Sequence, residues 1–213
     1  MNHPLSCACG QVKGTVEQPE RAVRGVCFCR DCQAFAHYLG RADELLDAFG
    51  GTGIIAARPS SLSITSGFDR VACMSLSENG LLRWYTACCN TPLGNTPRQG
   101  SIPHIGLIPA CLGVSGPAFG AAFGPVRMHV HKAGAHGPVP AMRWSTFTTA
   151  VRYLASTVSA RLDGSARQHP LFAPDLKTPI VQPNVLPPDE RSALETHVRD
   201  YGAARVTAGR AAS

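Results

Sequence analysis

Three groups of cysteines hold most of the chemistry this chain can offer. Cys27-Phe28-Cys29-Arg30-Asp31-Cys32 sets three thiols in the order C-x-C-x-x-C, Cys7-Ala8-Cys9-Gly10 lies upstream, and Cys88-Cys89 lies downstream. Seven of the nine cysteines fall in these groups, so their placement is not scatter. A turn with thiols at such spacing lets two sulfurs converge on one ion, and clustered thiolates suit a soft tetrahedral metal, Zn2+ above all.

Cys7 and Cys9 form one turn. With Cys88 and Cys89 they can close a four-ligand structural site tying the N-terminal turn to a strand ending near Thr86. Adjacent residues on extended backbone point opposite ways, which leaves open whether Cys88, Cys89 or both ligate. Cys27, Cys29 and Cys32 supply three ligands and no obvious fourth, the pattern of a catalytic site that keeps a position for water or substrate. Two other readings stay open: His37 closes the site, or Cys29 and Cys32 work as a redox pair. The βαβ setting of a thioredoxin-type pair is missing. Asp31 can orient a ligand, and Arg30 adds positive charge beside the thiolates. Cys73 and Cys111, alone on apolar runs, read as core residues. His129 and His131 share a strand face, with His136 close by, and read as a solvated face before a metal pair.

These groups need a folded body to position them. Hydrophobic residues make up 44% and charged residues 16% of 213, which excludes a disordered chain. A net charge of +6 without any basic run argues for no nucleic-acid partner and leaves room for an anionic small molecule. The most apolar stretch, 102–126, holds four prolines and five glycines; it is an irregular covering segment, and no membrane partner is expected. Met1 to Leu5 lacks the pattern of a signal peptide, so a cytoplasmic, reducing location is expected.

Short strand-like runs are expected at 11–16, 23–28, 53–57, 62–65, 68–75, 81–86 and 126–131, with a hairpin signal at Asn79-Gly80. Asp31 to Tyr38 reads as a helical turn and Arg41 to Phe49 as a short helix. Few helices among many strands predict a mainly β, antiparallel body over 1–138. A helical extension over 139–213 follows. Ser145 caps a helix to residue 162 with Phe147, Val151, Leu154 and Val158 on one face; a second helix runs over 189–201 and stops at Gly202.

The three clusters in order, with Arg83-Trp84-Tyr85-Thr86-Ala87-Cys88-Cys89-Asn90-Thr91-Pro92-Leu93, resemble the glutathione-dependent formaldehyde-activating enzyme and centromere protein V family over about residues 5–131. The resemblance implies a β-tent of small antiparallel sheets around one structural and one catalytic zinc. It also implies carbon–sulfur lyase or synthase chemistry between a thiol such as glutathione and an aldehyde. Carried over, Cys7, Cys9 and Cys89 match the structural zinc, and Cys27, Cys29 and Cys32 the catalytic one. The family has C-x-x-C-G at the third cluster; here Thr86 stands for its first Cys and Asn90 for its Gly, with Cys88 as the available substitute. The competing function is a non-enzymatic zinc module, structural or for interaction.

Overall fold

The computed structural model describes residues 2–113, 117–142 and 146–211. The chain opens with β1 (Asn2–Ser6), β2 (Lys13–Glu17) and β3 (Val23–Cys27), then α1 (Arg30–Tyr38) and α2 (Ala42–Leu45). Strands β4 (Thr52–Ala57), β5 (Leu62–Ser66), β6 (Val71–Ser75), β7 (Leu82–Thr86), β8 (Pro92–Thr96) and β9 (Ile105–Leu107) follow. The remainder is α3 (Pro117–Phe123), β10 (Met128–Val130), α4 (Thr146–Leu162), β11 (Asn184–Val185) and α5 (Pro188–Ala211).

The strands form a three-stranded sheet, β1-β2-β5, and an eight-stranded sheet, β10-β3-β4-β9-β8-β7-β6-β11. Antiparallel pairing dominates, but both outer strands of the large sheet join in parallel, β10 to β3 and β11 to β6. The strand-rich body and the C-terminal helix agree with expectation. The mainly β proportion does not: α4 and α5 alone supply 17 and 24 helical residues, and α1 lies inside the strand-rich part.

Alternation explains the small sheet. In β1, His3 and Leu5 point inward while Asn2, Pro4 and Ser6 face out, a half-buried strand period. Pro4 hid this strand from sequence reasoning, yet proline is tolerated on an edge strand, and β1 is one. Strand β8 was masked likewise by Pro92 and Gly94. A Cβ at Gly94 would lie 2.8 Å from the carbonyl of Gly106, so glycine is what lets β8 and β9 meet there. The main core gathers Leu5, Val16, Ile55, Trp84, Leu107 and Phe172 from both sheets and the late loop. A second core sets α1 against α5 through Phe35, Leu39, Leu186 and Val198.

Several boundaries differ from expectation for local reasons. The hairpin at Asn79-Gly80 is present, pairing Val71 with Thr86. The covering segment is not wholly irregular, since it contains β9 and α3. The strand at 126–131 shrinks to Met128–Val130, because His131 turns left-handed at φ 55°. Helix α2 stops at Leu45, before Asp47, whose carboxylate accepts from the Phe49 and Gly51 amides and folds a turn. Ser145 lies outside the described residues. Along α4, the stripe expected to face the core is exposed at Val151, Leu154 and Val158.

Gly202 does not end α5. It sits mid-helix because a Cβ there would lie 2.7 Å from His136 Nε2. The ring cannot retreat: Gly50 approaches it equally closely from elsewhere, and its Nε2 is 2.8 Å from Gln33 Oε1. Helix propensity alone makes Gly202→Ala stabilising by up to about 1 kcal/mol. The expected result has the opposite sign, a loss of roughly 1–3 kcal/mol from overpacking, read as a lower urea midpoint. A higher midpoint would show that His136 yields.

Candidate metal centres

Cys7, Cys9, Cys88 and Cys89 come together at one corner, all four sulfurs lying within 4.8 Å of one another. The first turn is built locally. The Gly10 amide donates to the Cys7 carbonyl at 2.9 Å, and Gly10 takes a positive φ of 74°, where glycine is unstrained. The Val12 amide then donates to Cys7 Sγ at 3.2 Å, holding that sulfur inward.

The second turn resolves the doubt about adjacent cysteines. Strand β7 ends at Thr86, and Ala87 to Cys89 form a turn, so the two side chains are not forced apart. Their sulfurs lie 3.8 Å from each other. Asn90 adopts φ 51°, the left-handed region that asparagine tolerates best after glycine, which is why it can stand in a glycine's place. The Thr86 hydroxyl lies 3.3 Å from Cys89 Sγ and so bonds the cluster. Thr91 was missed by sequence reasoning. Its hydroxyl lies 3.2 Å from Cys89 Sγ, accepts from the Ala8 amide at 3.0 Å and from Arg41 at 3.0 Å, and so joins both turns. Burial pushes the Cys89 thiol up, but bonds from Thr86, Thr91 and Cys9 together outweigh it and lower the pKa to about 5.

The other cluster joins the end of β3 to the start of α1. Cys27 is the last residue of β3, Cys29 is the N-cap of α1, and Cys32 lies in its first turn; their sulfurs also lie within 4.8 Å of one another. Cys29 Sγ accepts from the Cys32 amide at 3.4 Å, as a capping side chain does. Cys27 donates to Cys29 Sγ at 3.4 Å. Donation from Cys27, then from Cys32, lowers the Cys29 pKa to about 2; the same bond pushes Cys27 up to about 11, and bonds to Cys27 and Cys29 raise Cys32. Without a metal, these bonds and the positive end of the helix make Cys29 the first of the three thiols to lose its proton.

Arg83 was also missed. It is 1% exposed, its Nη2 lies 3.6 Å from Asp31 and its Nη1 3.3 Å from Asn95, and its charge lowers the pKa of both Cys29 and Cys32. A guanidinium buried so completely is costly unless anions compensate it, and Asp31 with the cysteine cluster are those anions. In metal-free protein, Cys29 is expected to react with iodoacetamide at a rate nearly flat between pH 5 and 8. An ordinary thiol slows about tenfold per pH unit below its pKa of about 8.5. A wild-type rate that falls tenfold per unit would rule out a thiolate on Cys29 in the metal-free protein.

The other sequence candidates lie apart from these clusters. His37 belongs to neither; its ring packs edge-on at 4.6 Å from Tyr201 and 4.8 Å from His197. His129 stands edge-on to Phe28 at 5.5 Å, His131 is exposed, and His136 bonds Gln33. Cys73 and Cys111 are buried core residues, as expected. Gln33, buried behind the cluster, donates to the carbonyls of Phe28 and Gly134, fixing the backbone between Cys27 and Cys29.

Residues 1–180 match the Family of unknown function (DUF6151). The chain belongs to that family. Both cysteine clusters of this member fall inside the matched residues, and α5 falls beyond them. A crystal structure of a Rhodobacter sphaeroides protein is similar at 22% identity and a TM-score of 0.36, covering 54% of this chain and 92% of that one. No curated protein matches the chain. Among the described residues, no helix is long and apolar enough to cross a membrane.

Proposed function

We propose that this family member holds two zinc ions and is a carbon–sulfur lyase or synthase whose open site is Cys27, Cys29 and Cys32. The observation that carries the reading is the difference between the clusters: four sulfurs gather at one and three at the other, with no fourth His, Cys, Asp or Glu grouped with them among the described residues. The donor sets fit zinc. A Zn–S bond of about 2.3 Å gives a tetrahedron with S···S edges of about 3.8 Å. Four of the six S···S separations at the first cluster run from 3.3 to 3.9 Å, and Cys27 to Cys29 is 3.4 Å.

Cys27, Cys29 and Cys32 would hold the catalytic ion, and Cys7, Cys9, Cys88 and Cys89 the structural one. At the open position the ion would keep a substrate thiol deprotonated near neutral pH. The chain's own part is positional. Gln33 locks the Cys27–Cys29 backbone, the α1 N-terminus and Arg83 balance the charge of the cysteines, and exposed Arg30 attracts an anionic thiol.

The reaction this supports is addition of the thiol sulfur to an aldehyde carbon. The sulfur lone pair forms the C–S bond, the C=O π pair moves to oxygen, and the proton lost by the thiol ends on that oxygen. No oxidant is needed, and the reverse is the lyase direction. Formaldehyde and glutathione, suggested by the resemblance, are the first substrates to try. With two zinc ions per chain verified, the protein should accelerate S-hydroxymethylglutathione formation above buffer, read by NMR exchange. Two zinc ions with no acceleration of any thiol–aldehyde pair would favour the non-enzymatic module; a metal-free chain with a reducible Cys29–Cys32 disulfide would favour the redox reading.

A further inference from the structure

A cavity of about 250 Å3 lies between the cysteine-bearing end of α1, the loop after β10 and the middle of α5. Small residues are part of its lining, Gly134 and Ala135 on the loop and Gly202 and Ala203 on α5. Gly134 also backs onto the cysteine turn, since a Cβ at 134 would lie 3.6 Å from Cys29 Cα. The cavity and the three-cysteine cluster thus share a wall one residue thick.

The charges around this cavity are unbalanced. Arg30 lines it, is exposed, and has no ion-pair partner among the described residues. Arg199 lines the α5 side, and among the described residues its guanidinium is bonded to the neutral Thr196 hydroxyl at 2.9 Å and to no carboxylate. Glu195 is also on the rim, but its carboxylate is held by Arg191 at 2.8 Å. Two guanidiniums without a carboxylate partner at a small cavity suit an anionic ligand's carboxylates, which arginine can bind through paired hydrogen bonds.

We infer that this cavity binds the carboxylate-bearing end of a small anionic thiol, with Arg30 and Arg199 as its specificity-determining residues. For the sulfur end only, the inference rests on the reading of Cys27, Cys29 and Cys32 as an open metal site. Half of the cavity belongs to α5, beyond the residues that match the family, so this selectivity is a property of the chain's own C-terminal helix.

S-Methylglutathione separates the two ends, because it keeps both carboxylates while its sulfur carries no proton to lose. Calorimetric titration of the full-length, zinc-loaded protein should detect its binding. Arg30→Gln and Arg199→Gln should each weaken it about tenfold to a hundredfold, the value of a charge-assisted hydrogen bond. Neutral 2-mercaptoethanol reports on the sulfur end alone and should be lost in Cys29→Ser, which should keep S-methylglutathione. Absence of S-methylglutathione binding, or equal binding by both arginine variants, would overturn the cavity assignment whatever the metal does. Arginine-dependent S-methylglutathione binding with no 2-mercaptoethanol binding would uphold the cavity and overturn the metal-thiol reading instead.

Discussion

Cys7→Ser is expected to cost the protein one zinc ion and a large part of its stability. Cys7 is 3% exposed, and its sulfur is placed by the Val12 amide and lies 3.5 Å from Cys9 and 3.9 Å from Cys88. Structural zinc contributes about 10–16 kcal/mol of apparent free energy in small zinc domains. A variant that loses the ion loses at least one ligand's even share of that, roughly 3–4 kcal/mol. Against a typical total of about 5–15 kcal/mol that is severe, and for a chain of this size it lowers the melting midpoint by roughly 10 °C. A chelator should bring the wild type down to the variant's midpoint and leave the variant's own transition little changed. A Cys7→Ser protein with full zinc content and an unshifted midpoint would end the structural-site assignment.

Cys29→Ser is expected to have the reverse profile: the fold is kept and the function is lost. A three-ligand site reduced to two should not retain its ion, so zinc falls from two to one per chain and thiol–aldehyde acceleration falls to the buffer background. Stability changes little because position 29 is the N-cap of α1, and serine is among the best N-cap residues. Its hydroxyl can accept from the Cys32 amide as the sulfur does, so the midpoint should move by no more than about 3 °C. Two retained zinc ions with undiminished turnover would remove the cluster from catalysis.

The cysteine groupings were legible because each is set by a local turn. C-x-C-G demands a left-handed fourth residue, and C-x-C-x-x-C at a strand end leads into a helix whose cap is itself one of the thiols. What sequence left open was settled by contacts between distant residues. Whether Cys88 and Cys89 can converge depended on where β7 stops. Thr91 and Arg83 stood in the motif stretch without a role, because a threonine in a turn and an arginine in a strand are ordinary; only the folded chain brings Thr91 to Ala8 and Arg83 to Asp31. Strands β1 and β8 were hidden by Pro4 and Pro92, whose penalty vanishes at an edge or a strand's first residue. Gly202 read as a stop for α5, while its missing side chain makes room for His136.

The parallel strand β10 at one margin of the large sheet gives the two clusters an order in time. The four-cysteine corner needs nothing beyond residue 91, so it can close soon after that stretch leaves the ribosome. The three-cysteine turn is held by later chain: the Phe28 amide donates to the Val130 carbonyl at 3.0 Å, and Gln33 reaches Gly134 across 101 positions. At about 5–20 residues per second, some 40 further residues impose a delay of about 2–8 s between the two events. During that interval the first corner can already be loaded while the second is still an unsupported loop. On the proposed reading, the structural centre would thus be complete before the catalytic one.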